Sequence, residues 1–177
     1  MCSKKRSCFT LLEILVVISV IVILMGSVAG IASYVTRKNA DARTLATVEM
    51  LRVGLEQYKT KYGFYPPSVQ VQANGYIPFH LDKINSNGVS DNFNQFVDYN
   101  QLTQTGRSRK VGDVYEVLDG YGEPIYYRCP GYVNKTSFDL GSLGADGKLG
   151  DNSDKALNSS DSKDYFGKGD DITNCHR

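Results

Sequence analysis

One apolar segment, residues 9–35, constrains this chain more than any other feature. Its 27 residues carry a single charge, that of Glu13. About 20 predominantly apolar residues are enough to cross a bilayer as a helix. The segment therefore predicts one membrane-spanning helix. The basic residues before it, Lys4, Lys5 and Arg6, predict a cytoplasmic N-terminus by the positive-inside rule.

The carboxylate of Glu13 is costly at this place. A charge at the centre of a spanning helix costs roughly 2.5–3.5 kcal/mol on insertion scales. Buried charges persist when they are paired, so we expect Glu13 to meet a positive charge. The candidate is a positive charge that arrives only when chains assemble, and such a pair would set their axial register.

The helical pattern continues beyond the apolar segment. Apolar residues recur at intervals of three or four positions, at Leu45, Val48, Leu51, Leu55, Tyr58 and Tyr62. This spacing predicts one face of an amphipathic helix. Gly63, Pro66 and Pro67 predict its end. We therefore expect one helix from residue 9 to residue 62, with residues 36–62 as its amphipathic continuation.

The remaining residues, 63–177, predict a small globular domain. Strand-like segments at residues 113–118, 124–129 and 136–140 are separated by Gly and Pro turns, which predicts a small antiparallel sheet. We interpret residues 68–110 as a long connection with a short helix near 91–98. Residues 141–177 have too little apolar surface to fold without help. The fold class is α+β, with a long N-terminal helix packed on the sheet.

Charge and residue spacing argue against several functions. The net charge is +1, and the first eight residues contribute +3, so the residues after Cys8 carry +1 − 3 = −2. This negative charge does not fit a nucleic-acid-binding protein, which needs a basic patch on its surface. His80 and His176 lie far apart without a Ser or Cys motif, so we expect no enzyme. In an oxidising compartment we expect a disulfide between Cys129 and Cys175, and the alternative is two thiols.

The junction at residues 4–13, Lys-Lys-Arg-Ser-Cys-Phe-Thr-Leu-Leu-Glu, resembles the prepilin processing site of type IV pilins and pseudopilins. The resemblance implies that a prepilin peptidase removes residues 1–8, cutting between Cys8 and Phe9, and methylates the amine of Phe9. The family normally has Gly where this chain has Cys8. The alternative is an ordinary secretory signal cut near residues 28–33, which leaves Glu13 and the amphipathic continuation unexplained.

Three further segments are similar to the major pseudopilin of type II secretion systems: residues 119–127, 138–147 and 170–174. The first reads Asp-Gly-Tyr-Gly-Glu-Pro, with Tyr121 where the family has Trp. In that family the other two segments bind one calcium ion. The resemblance implies a Ca²⁺ site with these ligands: the carbonyl of Leu143 and the side chains of Asp146 and of either or both of Asp170 and Asp171. Asp151 and Asp154 are further ligands or merely solvated, and the alternative to the whole site is a flexible acidic tail.

The resemblance implies a structural subunit that polymerises into the pseudopilus and drives protein export across the outer membrane. The protein is expected in the bacterial inner membrane, single-pass, with its C-terminal domain in the periplasm. Implied partners are further copies of the chain in a helical filament, the prepilin peptidase, minor pseudopilins, the inner-membrane platform and the assembly ATPase. The alternatives are a type IV pilus subunit, serving adhesion, motility or DNA uptake, and a tethered binding module that never polymerises.

Overall fold

The structure is a computed structural model that describes residues 10–68, 76–81, 93–150 and 166–175. Within these ranges, the side chains of residues 27–30 and of Asn94 are not described. The chain divides into two compact units, Met1–Lys38 and Asn39–Arg177.

Helix α1, Leu11–Tyr62, confirms the long helix predicted from the sequence. In the N-terminal unit every described side chain is exposed. The most apolar 18-residue window of α1 has a mean hydropathy of 2.9, and none of it is buried. By length and composition, this helix can cross a membrane.

In the second unit, one face of α1 enters the core. Val48, Leu51, Leu55 and Tyr58 are buried as predicted, and Tyr62 is half-buried. The prediction for Leu45 is wrong, because its side chain is 60% exposed.

Thr44 and Thr47 are buried beside that face, although the apolar spacing did not include them. The hydroxyl of Thr44 donates to the carbonyl of Ala40 at 2.9 Å, and that of Thr47 donates to the carbonyl of Arg43 at 2.9 Å. A hydroxyl that bonds its own helix backbone can be buried without an unsatisfied donor. The core face of α1 therefore includes these two threonines and excludes Leu45, which the apolar spacing had included.

The strands of the described residues form two antiparallel sheets rather than the one predicted. A four-stranded sheet has the order β1-β4-β5-β6, and a two-stranded sheet pairs β2 with β3. Their bounds are β1 Ile77–Pro78, β2 Ser108–Val111, β3 Val114–Val117, β4 Tyr126–Arg128, β5 Asp139–Ser142 and β6 Ile172–Thr173. In register, Tyr127 faces Leu140, and Gly141 faces Thr173.

The segment interpreted as a connection contains more structure than its sequence indicated. Near the expected short helix there is a 3₁₀ turn, Phe93–Gln95, followed by helix α2, Tyr99–Gln104. The carboxylate of Asp98 caps α2 by accepting the N–H of Gln101 at 3.0 Å. Strand β2 also lies in this segment and was missed because its residues Ser-Arg-Lys-Val do not alternate in polarity. The third predicted strand begins at Asp139 instead of residue 136.

Two clusters of buried side chains hold the second unit together. The larger one joins the α1 face to side chains of the four-stranded sheet and its connections, among them Phe79, Phe93, Ile125, Tyr127, Phe138 and Leu140. The smaller one contains Tyr76, Leu143, Leu149, Phe166 and Cys175. Within it the rings of Tyr76 and Phe166 stack at 4.0 Å between centroids. This small cluster anchors the described part of the C-terminal tail to the sheet.

Candidate functional site

The first candidate site is the N-terminal turn of α1, which carries Glu13. The N–H of Glu13 donates to the carbonyl of Thr10 at 3.0 Å and to its Oγ1 at 3.3 Å, so Thr10 caps the helix. Glu13 itself is exposed and has no ion pair with any residue that the structure describes. Cys8 and Phe9, the predicted cleavage pair, lie outside the described residues.

The surroundings of Glu13 are apolar and exposed. Leu11, Leu12 and Ile14 are 84%, 73% and 50% exposed, and the described apolar residues up to Met25 are exposed as well. A helix that is apolar on all sides is stable only when lipid or other helices cover it. The single acid therefore lies on an apolar surface of the kind that lipid or other helices cover.

The second candidate site is the docking loop, residues 119–124, which carries the Asp-Gly-Tyr-Gly-Glu-Pro motif. Asp119 organises the loop from within, because its Oδ1 accepts the N–H of Tyr121 at 2.8 Å and the N–H of Glu123 at 2.9 Å. Such bonds from an Asp side chain to the backbone two and four residues on hold a tight turn. The motif thus fixes the shape of the loop.

The docking loop packs against the part of α1 that belongs to the second unit. The N–H of Gly120 donates to Thr44 Oγ1 at 2.9 Å, and the hydroxyl of Tyr121 donates to Asp41. A Cβ at position 120 would lie 2.7 Å from the carbonyl carbon of Ala40, closer than real Cβ contacts allow. Glycine at 120 is therefore a requirement of this contact, and Tyr121 adds a hydrogen bond to the helix.

The third candidate site is the acidic loop, formed by residues 143–150 and 166–171. Asp170 Oδ2 accepts the N–H of Ala145 at 2.8 Å and that of Asp146 at 3.2 Å. Asp171 accepts the N–H of Gly167 at 3.0 Å and that of Gly150 at 3.2 Å. Both aspartates therefore bridge the two halves of the acidic loop through hydrogen bonds to the backbone.

The third predicted carboxylate, Asp146, bonds within its own turn. Its Oδ1 accepts the N–H of Lys148 at 2.8 Å. Leu143 is buried in the smaller apolar cluster beneath the loop. The structure thus brings all four predicted ligands to one loop. Asp151 and Asp154 lie outside the described residues.

The acidic loop contains one carboxyl group with a raised pKa. Burial, the largest cause, and the charges of Asp170 and Asp146 together raise the pKa of Asp171 to about 7, against hydrogen bonds from Gly167 and Gly150 that lower it. Burial and neighbouring carboxylates both disfavour the charged form of a carboxyl group. A cation bound beside Asp171 would offset both effects.

The donor chemistry of the acidic loop fits calcium, because Ca²⁺ takes carboxylate and carbonyl oxygens. The geometry fits less closely. Among the described residues, no three Asp, Glu, His or Cys side chains lie together in an arrangement that could hold a metal ion. The carboxylates instead accept backbone N–H groups. Calcium binding by these residues would require the loop to rearrange.

The docking loop and the acidic loop are connected. The hydroxyl of Ser142, at the end of β5, donates to Asp119 and accepts the N–H of Gly144 at 3.0 Å. Gly144 in turn packs so closely on Asp170 that a Cβ would lie 2.7 Å from the carboxyl carbon of that aspartate. The three segments that resemble the pseudopilin family therefore form one contiguous set of contacts.

The cysteines of the expected disulfide are not joined in the structure. Cys129 Sγ lies 3.7 Å from the carbonyl oxygen of Ser137, and Cys175 Sγ lies 3.4 Å from Asp139 Oδ1. Each thiol thus has its own acceptor. The disulfide stays a prediction for an oxidising compartment, which intact mass measurement without reductant would check.

A structurally important acid, Asp139, was missed by the sequence analysis. Its side chain is fully buried on β5. It accepts three consecutive N–H groups, those of Tyr132 at 2.6 Å, Val133 at 2.9 Å and Asn134 at 2.9 Å, and the hydroxyl of Tyr76 at 3.1 Å. The available signal was an Asp between Phe138 and Leu140, since a charge inside an apolar strand needs partners.

Comparison with known proteins adds one finding. Residues 4–29 match the family model described as the prokaryotic N-terminal methylation motif. The match spans the basic leader and most of the apolar segment, and it implies processing by a prepilin peptidase. No curated protein matches the chain. Together with the long helix and the small antiparallel sheets, the motif supports a type IV pilin-like subunit of a pilus or pseudopilus.

Proposed function

We propose that this chain is the structural subunit of a type II secretion pseudopilus, which polymerises after leader cleavage to drive protein export across the outer membrane. The observation that supports polymerisation is Glu13, one acid in the first turn of an exposed apolar helix, inside a segment that matches the methylation motif. The subunit is held in the bacterial inner membrane by α1, with its second unit in the periplasm.

Assembly follows from the charge on the new N-terminus. Cleavage between Cys8 and Phe9 exposes an ammonium four residues before Glu13. Glu13 of a chain already in the filament neutralises the amine of the incoming chain while their apolar helices pack. Such head-to-tail contacts do not close into a ring and give an open helical polymer. Minor pseudopilins, the inner-membrane platform and the assembly ATPase are the further partners.

The choice of a pseudopilus over a type IV pilus rests on the docking loop and the acidic loop. Both carry residues that are similar to the major pseudopilin, and Ser142 joins them through hydrogen bonds. In this proposal the acidic loop holds one Ca²⁺ through Asp146, Asp170, Asp171 and the carbonyl of Leu143. The ion would offset the charges of these aspartates and tie the two halves of the loop together.

The assembly step is tested with Glu13→Ala. We expect filaments to be lost while the processed subunit stays in the membrane at its normal level. Asp113→Ala is the control, because it removes an exposed acid from the second unit outside both loops. Mass spectrometry of the membrane-extracted protein should find a methylated Phe9 in all three chains. Normal filaments from Glu13→Ala would favour the tethered module.

The calcium step is tested by chelation of the full chain in detergent micelles. A ligand at 100 times its dissociation constant stabilises the folded state by about 2.7 kcal/mol. We therefore expect a chelator to lower the unfolding temperature of the wild type and to have little effect on Asp170→Asn. Asp113→Asn, an exposed acid in the turn between β2 and β3, is the matched control and should respond like the wild type. An unchanged unfolding temperature in the wild type would favour a pilus subunit.

A further inference from the structure

A concave pocket of about 480 Å³ lies in the second unit, beside the docking loop. Three segments line it: α1 at Arg43, the turn after α2 at residues 105–107, and the docking loop at residues 119–122. The functions discussed above make no use of Arg43 or of Arg107. The pocket is open to solvent on one side, so a small solute or a protruding side chain can reach it.

The two arginines of the pocket differ from other arginines of the same unit. Arg52 pairs with Glu49, and Arg109 pairs with Glu116 at 3.1 Å. Neither Arg43 nor Arg107 has a carboxylate oxygen within 4.0 Å among the residues that the structure describes.

Arg107 is half-buried, and its Nη1 donates to Thr47 Oγ1 at 3.4 Å. Arg43 is exposed at the rim. A guanidinium presents five N–H donors in a planar fork that suits carboxylate and phosphate oxygens. One hydroxyl partner leaves most of the donors of Arg107 available.

The acids near the pocket are already engaged. Asp119 lines it, but its oxygens accept the N–H groups of Tyr121 and Glu123 and the hydroxyl of Ser142. Asp41 accepts the hydroxyl of Tyr121. These carboxylates accept neutral donors from the docking loop and from Ser142, and neither forms an ion pair with Arg43 or Arg107.

We propose that this pocket is an oxyanion site, in which Arg43 and Arg107 bind a carboxylate or phosphate group. Two sources supply this chemistry: a free anion in solution, or an acidic side chain of a second copy of this chain. A second copy offers suitable groups, because residues 143–171 contain seven Asp and four Lys, a net charge of 4 − 7 = −3. Binding of a free anion does not depend on the proposed function.

The first experiment titrates inorganic phosphate into the full chain in detergent micelles, with chloride keeping the ionic strength constant. We expect saturable binding by calorimetry. Because hydrogen bonds to charged groups contribute about 1.5–3 kcal/mol, we expect Arg43→Gln and Arg107→Gln each to weaken binding about tenfold or more.

The control for charge is Lys135→Gln, which removes an exposed cation outside the pocket and should leave the affinity unchanged. If Arg107→Gln fails to fold, Arg43→Gln alone is used for the test, because substitution of the exposed Arg43 should not affect folding. Equal affinities in wild type and Arg43→Gln, or a response that never saturates, would overturn the proposal.

The second experiment distinguishes the two sources in assembled filaments. If a second copy supplies the carboxylate, filaments bind no phosphate in the pocket, and Arg43→Gln lowers the filament yield. If the ligand is a free anion, filaments bind phosphate as the dispersed chain does, and the yield is unchanged. Absence of filaments from the wild type would contradict the proposed function and leave the result of the first experiment standing.

Discussion

The hydroxyl of Ser142 donates a hydrogen bond to the buried carboxylate of Asp119, and this bond joins two loops with different tasks. On one side, Asp119 shapes the loop that packs on α1. On the other, Ser142 accepts the N–H of Gly144, next to the acidic loop. A change in the acidic loop thus has a short path of direct contacts to the helix that we expect to form the filament core.

The contact between Gly120 and α1 leads to a first prediction. Gly120→Ala places a Cβ against the backbone of Ala40 and should destabilise the second unit by about 2–3 kcal/mol, because overpacking against backbone cannot relax cheaply. The control is Gly112→Ala. Gly112 has a positive φ of 61° but open space around it, so its substitution should cost only about 1 kcal/mol. Urea unfolding in detergent measures both, and equal costs would contradict this account of the docking loop.

Two leucines on the same helix give a second prediction. Leu51 is fully buried and Leu45 is 60% exposed. Leu51→Ala should cost about 2–5 kcal/mol of unfolding free energy, because it leaves a cavity in the larger apolar cluster. Leu45→Ala should change the unfolding free energy by less than about 0.5 kcal/mol. If Leu45→Ala proved the costlier change in the dispersed chain, the face assigned to the core would be wrong.

Periodicity identified the helix and four of its core residues, but it could not place Leu45 and the two threonines. An analysis of apolar spacing assumes that polar residues face solvent. Thr44 can be buried because its hydroxyl donates a hydrogen bond to the carbonyl of Ala40 and accepts one from the N–H of Gly120. The partner on the docking loop is 76 residues away in the chain, so no local pattern shows it. The acidic loop was located by resemblance. Its closure by Asp170 and Asp171 depends on contacts across more than 20 residues, which spacing alone does not reveal.

A third prediction concerns the buried carboxylate of Asp139. Asp139→Asn should cost roughly 2–4 kcal/mol of unfolding free energy, because an amide offers only one acceptor oxygen to the N–H groups of Tyr132, Val133 and Asn134. Asp113→Asn should be nearly neutral, since that side chain is exposed. Denaturation followed by near-ultraviolet circular dichroism compares the two. A neutral Asp139→Asn would mean that these bonds contribute little.

The buried tyrosines predict loss of stability in alkali. Burial raises the pKa of Tyr76, and the charge of Asp139 raises it further; burial likewise raises the pKa of Tyr127 well above its usual value. Unfolded tyrosine ionises near pH 10. Above that pH the unfolded state binds fewer protons than the folded state, so stability should fall by about 1.4 kcal/mol per pH unit for each of the two tyrosines.

Unfolding free energies measured on both sides of pH 10 test the sign of this effect. Tyr76→Phe should make the decline shallower, because one of the groups with a raised pKa is gone; Tyr126 and Cys129, whose pKa values burial also raises, keep their contribution. Its stability below pH 10 should also be lower, since the hydrogen bond to Asp139 is lost. A decline equally steep in wild type and variant would assign the alkaline instability to other groups.

The double role of the Thr44 hydroxyl restricts how this position can vary in nature. It donates to its own helix and accepts from Gly120, so it serves two partners with one oxygen. Valine has nearly the same shape but would leave the N–H of Gly120 without an acceptor. A buried donor without an acceptor lowers the unfolding free energy by about 1–3 kcal/mol. In an alignment of homologous chains, we therefore expect only threonine or serine at position 44 in the chains that have glycine at position 120. In chains without that glycine, we expect other residues at position 44 as well.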